Sequence, residues 1–101
     1  MLGFPPKRMG IIGEHPESGV RIDVQRPSLG GPPWRYEGEA VTPTGRHRVV
    51  IDVEEDGAVR VEADGPLPAE PVRLIMRAAW KHAHADGAPP PRRVVRWRPE
   101  R

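Results

Sequence analysis

The sequence predicts an α+β domain: a small two-layer sandwich in which a curved antiparallel meander of about five to six strands packs on one helix, with a C-terminal strand after the helix. Three observations carry this. Apolar residues alternate with polar ones over several short runs separated by Pro/Gly breaks; an Asp-Gly turn joins two β-branched runs; and one stretch near the C-terminus switches to helical spacing.

In chain order, Met9–Glu14 (MGIIGE) is a short apolar patch between Pro6 and Pro16 and reads as a first edge strand. Val20–Arg26 (VRIDVQR) alternates cleanly, with Val20, Ile22 and Val24 opposite Arg21, Asp23 and Gln25, the period of a half-buried strand. Pro27 ends it, and SLGGPP forms a loop. Trp34–Val41 sets Trp34, Tyr36, Gly38 and Ala40 against Arg35, Glu37, Glu39 and Val41, and the turn Thr42–Gly45 leads into Arg46–Glu54 with Val49, Ile51 and Val53 inward. Asp56-Gly57 then turns the chain into Ala58–Ala63, a hairpin signal. The outward charges of these strands, Arg35, Glu37 and Glu39 against Arg46 and Arg48, suit cross-strand pairing on a wet face.

Pro71 fits a first helical turn, where its missing N–H is not needed. Val72, Ile75, Met76, Ala79 and Ala83 then recur at helical spacing, and Asp86-Gly87 supplies a stop. After a proline run, Arg93–Arg98 (RVVRWR) reads as the last strand, with Val95 and Trp97 inward and Arg96 and Arg98 on the opposite face. A length of 101 residues fits one domain over 1–101, with loose ends at 1–8 and 99–101.

Cysteine is absent, so disulfides, thiol chemistry and cysteine zinc sites are excluded. With neither a signal-like opening nor an apolar run of membrane length, the expectation is a cytoplasmic protein with no membrane contact. Arginine outnumbers lysine 14 to 2, a bias that a GC-rich bacterial genome accounts for. The net charge of +2 is uneven: residues 92–101 hold five arginines and one glutamate, +4, while residues 1–91 hold eleven Lys/Arg and thirteen Asp/Glu, −2.

Signs of chemistry are sparse. WKHAH sets His82 and His84 two residues apart, about 160° around a helix, so they cannot share a metal. His82 and Asp86 have i,i+4 spacing, which suits a carboxylate-oriented imidazole, yet no nucleophile or metal partner lies in sequence reach. The acids Asp52, Glu54 and Asp56 before Gly57 are spaced like a calcium loop, but Ala63 stands where the bidentate glutamate belongs. No phosphate loop or nucleophile elbow is present. No cofactor, metal or catalysis is expected.

Two basic features remain. Arg73, Arg77 and Lys81 form an i,i+4 stripe with His84 beside them, and Leu74 lies near that outer face, a surface suited to an acidic or amphipathic protein partner. Arg92, Arg93, Arg96, Arg98 and Arg101 make a second basic group suited to nucleic-acid phosphates. The expected function is a non-catalytic protein-binding module working through Arg73, Leu74, Arg77, Lys81 and His84, with nucleic-acid binding through the C-terminal arginines as the alternative and a small enzyme using His82 and Asp86 as a third reading. A homodimer formed through an open edge strand is also compatible.

Overall fold

The computed structural model describes residues 18–27 and 30–99. Among these residues, five strands and one helix follow one another as β1 (Val20–Gln25), β2 (Trp34–Thr42), β3 (Gly45–Val53), β4 (Val59–Ala63), α1 (Ala69–Ala85) and β5 (Arg93–Arg98). The strands form one antiparallel sheet in the order β4-β3-β2-β1-β5. The first four make the expected meander. α1 then carries the chain from the β4 edge across to the far edge, where β5 pairs with β1. The expected strand Met9–Glu14 lies outside the described residues. No helix among these residues is long and apolar enough to cross a membrane.

Register assigns each side chain to a face, because directly opposed residues in antiparallel strands point the same way. Val20, Ile22 and Val24 share the helix side with Tyr36, Ala40, Val49, Ile51 and Val53, all buried, and Val72, Ile75 and Met76 of α1 close the core over them. Burying each large apolar side chain contributes about 1.5–3 kcal/mol, so tertiary packing of this face supplies most of the helix's stability. α1 has no side-chain cap at Pro68. At its other end the N–H groups of Asp86 and Gly87 bond the carbonyls of Ala83 and His84, each at 3.0 Å, and Gly87 takes the left-handed φ of 72° that this stop requires.

The other face of the sheet is a lattice of charges. Arg35 reaches Asp52 at 2.9 Å, Arg46 reaches Glu39 at 2.8 Å, and Arg93 reaches Asp23 at 2.8 Å. The hydrogen bonds from Arg93 and Arg35 hold the carboxyls of Asp23 and Asp52 below the ordinary carboxylate range. Val41 belongs to this outer face yet is only 3% exposed; its register sets it between Arg21 and Arg46.

The last strand departs from the sequence expectation. Val24 pairs with Val94, Ile22 with Arg96 and Val20 with Arg98, so the helix side receives Val94, Arg96 and Arg98. Val94 is fully buried, whereas Trp97 is 54% exposed on the charged face, its indole donating to the Ser18 carbonyl at 3.0 Å. Two adjacent valines give RVVRWR an apolar residue in either parity, and hydrogen bonds choose between them. The buried Arg26 guanidinium donates to the Pro90 carbonyl at 2.9 Å, the Tyr36 hydroxyl donates to the Pro91 carbonyl, and the Arg26 N–H donates to the Arg92 carbonyl at 2.8 Å. Three consecutive carbonyls are thereby fixed before the strand begins.

Tyr36, the chain's one tyrosine, is pushed above the ordinary value of 10.0 by burial, which outweighs the opposing pull of Arg26. The folded state therefore keeps the phenolic proton to a higher pH than the unfolded state, and stability is lost as pH rises through and beyond the ordinary value. Urea midpoints of the wild type should fall progressively above pH 10, while Tyr36→Phe removes the tyrosine contribution to that fall. At neutral pH, Tyr36→Phe should cost about 1–3 kcal/mol, because the Pro91 carbonyl is left without its buried donor.

The turn between β3 and β4 makes a second prediction. Gly57 has φ 90°, and a Cβ there would lie 2.7 Å from ring carbons of Trp80. Gly57→Ala should destabilise the fold by about 1–3 kcal/mol in chemical denaturation, from left-handed backbone strain together with displacement of the indole.

Candidate functional site

α1 presents different chemistry along its two flanks. On one, Trp80 covers the β3–β4 turn and stacks on His84, ring centroids 4.6 Å apart at 15°. On the other, Leu74, Ala78 and His82 follow one another at i,i+4 spacing, above the more deeply set Ile75, Ala79 and Ala83. A groove of about 710 Å³ opens between this flank and β5. Pro89 and Pro91 border one end of it, and Arg96, Trp97, Arg98 and Pro99 form the opposite wall. A second hollow of about 450 Å³ shares Leu74, Arg98 and Pro99 with it and continues past Gly19 and Thr42.

Side chains of Arg96, Trp97 and Arg98 alternate between faces of the sheet, yet all three residues line the groove. The outer edge of β5 itself therefore borders it. Arg96, Arg98 and His82 are the ionisable side chains in the lining, and no acidic residue is among the described residues there. The ion pairs of the described residues engage Arg35, Arg46, Arg60, Arg73 and Arg93 with carboxylates, and neither Arg96 nor Arg98 is in that set. The Arg96 guanidinium instead donates to the neighbouring Val95 carbonyl at 3.0 Å. The groove is thus apolar on its helix wall and cationic on its strand wall.

The structure divides the residues singled out from sequence. Leu74, 39% exposed, stands at the groove. Arg73, Arg77, Lys81 and His84 turn away from it: Arg73 pairs with Glu70, His84 stacks on Trp80, and Arg77 and Lys81 are exposed. The C-terminal arginines divide too. Arg96 and Arg98 face the helix side, Arg93 binds Asp23 on the opposite face, Arg92 is exposed where its carbonyl meets Arg26, and Arg101 lies outside the described residues. No hydrogen bond or ion pair among the described residues joins His82 to Asp86, and no cluster of metal-ligating residues is found among them. His47, opposite Ala40 on the helix side of the sheet, approaches Asp64 at 3.8 Å just beyond β4, outside the groove lining.

Sequence reasoning missed Ala78, Pro89 and Pro91 as groove residues. The available signal was a helix flank of small side chains followed by a proline run, a pattern that leaves space beside a helix unfilled. Compared with known proteins, the chain matches no family model, no curated protein and no solved structure.

An apolar slot with two arginines on its rim suits a flat aromatic sulfonate. Anilinonaphthalene sulfonate fluorescence should rise with the folded protein. Arg96→Ala with Arg98→Ala, or Ala78→Glu alone, should cut that response several-fold, while Arg48→Ala on the charged face leaves it unchanged. Equal responses from all variants would place dye binding elsewhere.

Proposed function

We propose that this chain is a binding module without catalysis of its own, and that it holds a protein segment carrying apolar and acidic side chains in the groove between α1 and β5. The observation that carries the reading is the composition of that groove: an apolar helix wall ending in Leu74, facing Arg96 and Arg98, with no acid in the lining. Apolar contact supplies affinity and the guanidinium forks supply orientation, since planar bidentate pairing with carboxylates is what arginine does best. Arg77 and Lys81, exposed on the outer helix face, add long-range attraction for an acidic partner without contacting it. A cytoplasmic setting belongs to the same proposal.

Nucleic acid is the weaker reading. Its five arginines would need one surface, and Arg93 is drawn to Asp23 on the opposite side from Arg96 and Arg98. The charged face also carries Glu37, Glu39 and Glu62, which repel phosphates.

Fluorescence anisotropy with peptides about ten residues long, alternating Val, Leu, Ile or Phe with Glu or Asp, tests the proposal against lysine-substituted counterparts. Acidic peptides should bind and lysine peptides should not. Leu74→Asp and Arg96→Glu should each weaken binding by about tenfold or more, a loss of about 1.4 kcal/mol. Generic duplex and single-stranded nucleic acid should bind weakly at both about 50 and about 200 mM salt. Tight nucleic-acid binding that collapses with salt, and is lost when Arg92, Arg93, Arg96, Arg98 and Arg101 become alanine, would reverse the ranking.

A further inference from the structure

β5 ends the sheet, so one side of its backbone has no partner strand among the described residues. Which groups point outward follows from the register. The Arg26 N–H bonds the Arg92 carbonyl at 2.8 Å, one step beyond the Gln25–Arg93 pair, so Arg26 and Arg92 form a hydrogen-bonded pair. Bonded and non-bonded pairs alternate along an antiparallel ladder. Val94, Arg96 and Arg98 therefore direct their N–H and C=O groups toward β1, and Arg93, Val95 and Trp97 direct theirs outward. The Val95 carbonyl accepts from Arg96, as an outward carbonyl without a strand partner can. These groups border the groove.

Resting on the proposed peptide-binding reading, we infer that the occupant is an extended acidic-apolar segment that adds to the sheet as a sixth strand along β5. Its main chain bonds Arg93, Val95 and Trp97, and alternate side chains enter the groove. Strand addition of this kind takes affinity from the backbone and selectivity from alternate positions. Those positions are specified here: an apolar side chain lies against Leu74 and Ala78, and a carboxylate lies beside Arg96 and Arg98. A second copy of the chain fits this edge poorly. β5 and the residue before it carry four arginines, Arg92, Arg93, Arg96 and Arg98, and pairing two such strands brings like charges together across the new ladder. An acidic strand reverses that repulsion.

The test is amide hydrogen exchange by NMR on the full-length protein, with a peptide of about ten residues as probe that carries Val and Glu in turn at every second position and Thr between them, so that both residue types share the face turned to the groove, its binding being measured separately by anisotropy. Binding should slow exchange at Val95 and Trp97 at least about tenfold while leaving the already bonded Arg96 amide little changed. N-methylating alternate residues of the probe should abolish binding in one parity and leave it within about threefold in the other, because only one parity points its N–H groups at β5. Binding without protection of Val95 and Trp97, or equal tolerance of both methylation patterns, overturns strand addition and leaves the groove reading intact. Failure of the probe to bind at all overturns both. Protection that grows with protein concentration would assign the edge to a second copy. Protection in the free protein that disappears in Ile11→Glu with Ile12→Glu would assign it to the chain's own Met9–Glu14. Each of those two results replaces the proposed occupant.

Discussion

The capture of three successive carbonyls, those of Pro90, Pro91 and Arg92, is the constraint on which the rest of the molecule depends. Arg26 and Tyr36 hold them from within the sheet, the tyrosine fully buried and the Arg26 guanidinium carbon 6.0 Å from the centre of its ring. A buried cation is costly unless its donors are satisfied, and the Pro90 carbonyl accepts from one of the Arg26 guanidinium nitrogens. Because the chain enters β5 at a fixed residue, the parity of the whole strand follows. A slip by one residue would move every side chain to the other face. Val94 would leave the core, Trp97 would enter it, and the arginines that now rim the groove would join the charged lattice on the far side.

That dependence explains what the sequence could and could not reveal. Val20, Ile22 and Val24 alternate without competition, and the β3–β4 hairpin has an Asp-Gly turn between β-branched runs, so local pattern suffices for both. The spacing of Val72, Ile75, Met76, Ala79 and Ala83 likewise marks the buried helix face. RVVRWR is different. Size alone favours Trp97 as the core residue, because tryptophan is the larger apolar side chain. The decision is made elsewhere, by Tyr36, 55 residues before the proline it bonds, by Arg26, and by prolines that accept hydrogen bonds although they cannot donate them. No periodicity records such a contact.

The site was hidden for a related reason. Leu74 was visible as an exposed leucine on the helix, and Arg96 and Arg98 as part of a basic tail, but nothing in the linear text joins them. The fold joins them by sending α1 from one edge of the sheet to the other. The arginines grouped by sequence are separated by their partners: Glu70 takes Arg73 and Asp23 takes Arg93, while Arg96 and Arg98 face a slot without acids. His84, grouped by spacing with the helix cations, lies against Trp80 four residues earlier. A basic stripe in sequence thus resolves into cations with different work, some holding the sheet and others facing the groove.

The parity of β5 can be read most directly by thiol accessibility, since the chain contains no cysteine of its own. Val94→Cys, Arg96→Cys and Trp97→Cys, each the sole thiol in a folded protein, would be exposed to a maleimide under native conditions. The Val94→Cys thiol should be strongly protected and the other two should label rapidly, and adding Tyr36→Phe should erode the protection at position 94 as the hold on Pro91 is lost. A reactive thiol at position 94 with a protected one at 97 would mean the opposite parity, and with it a groove that lacks Arg96 and Arg98.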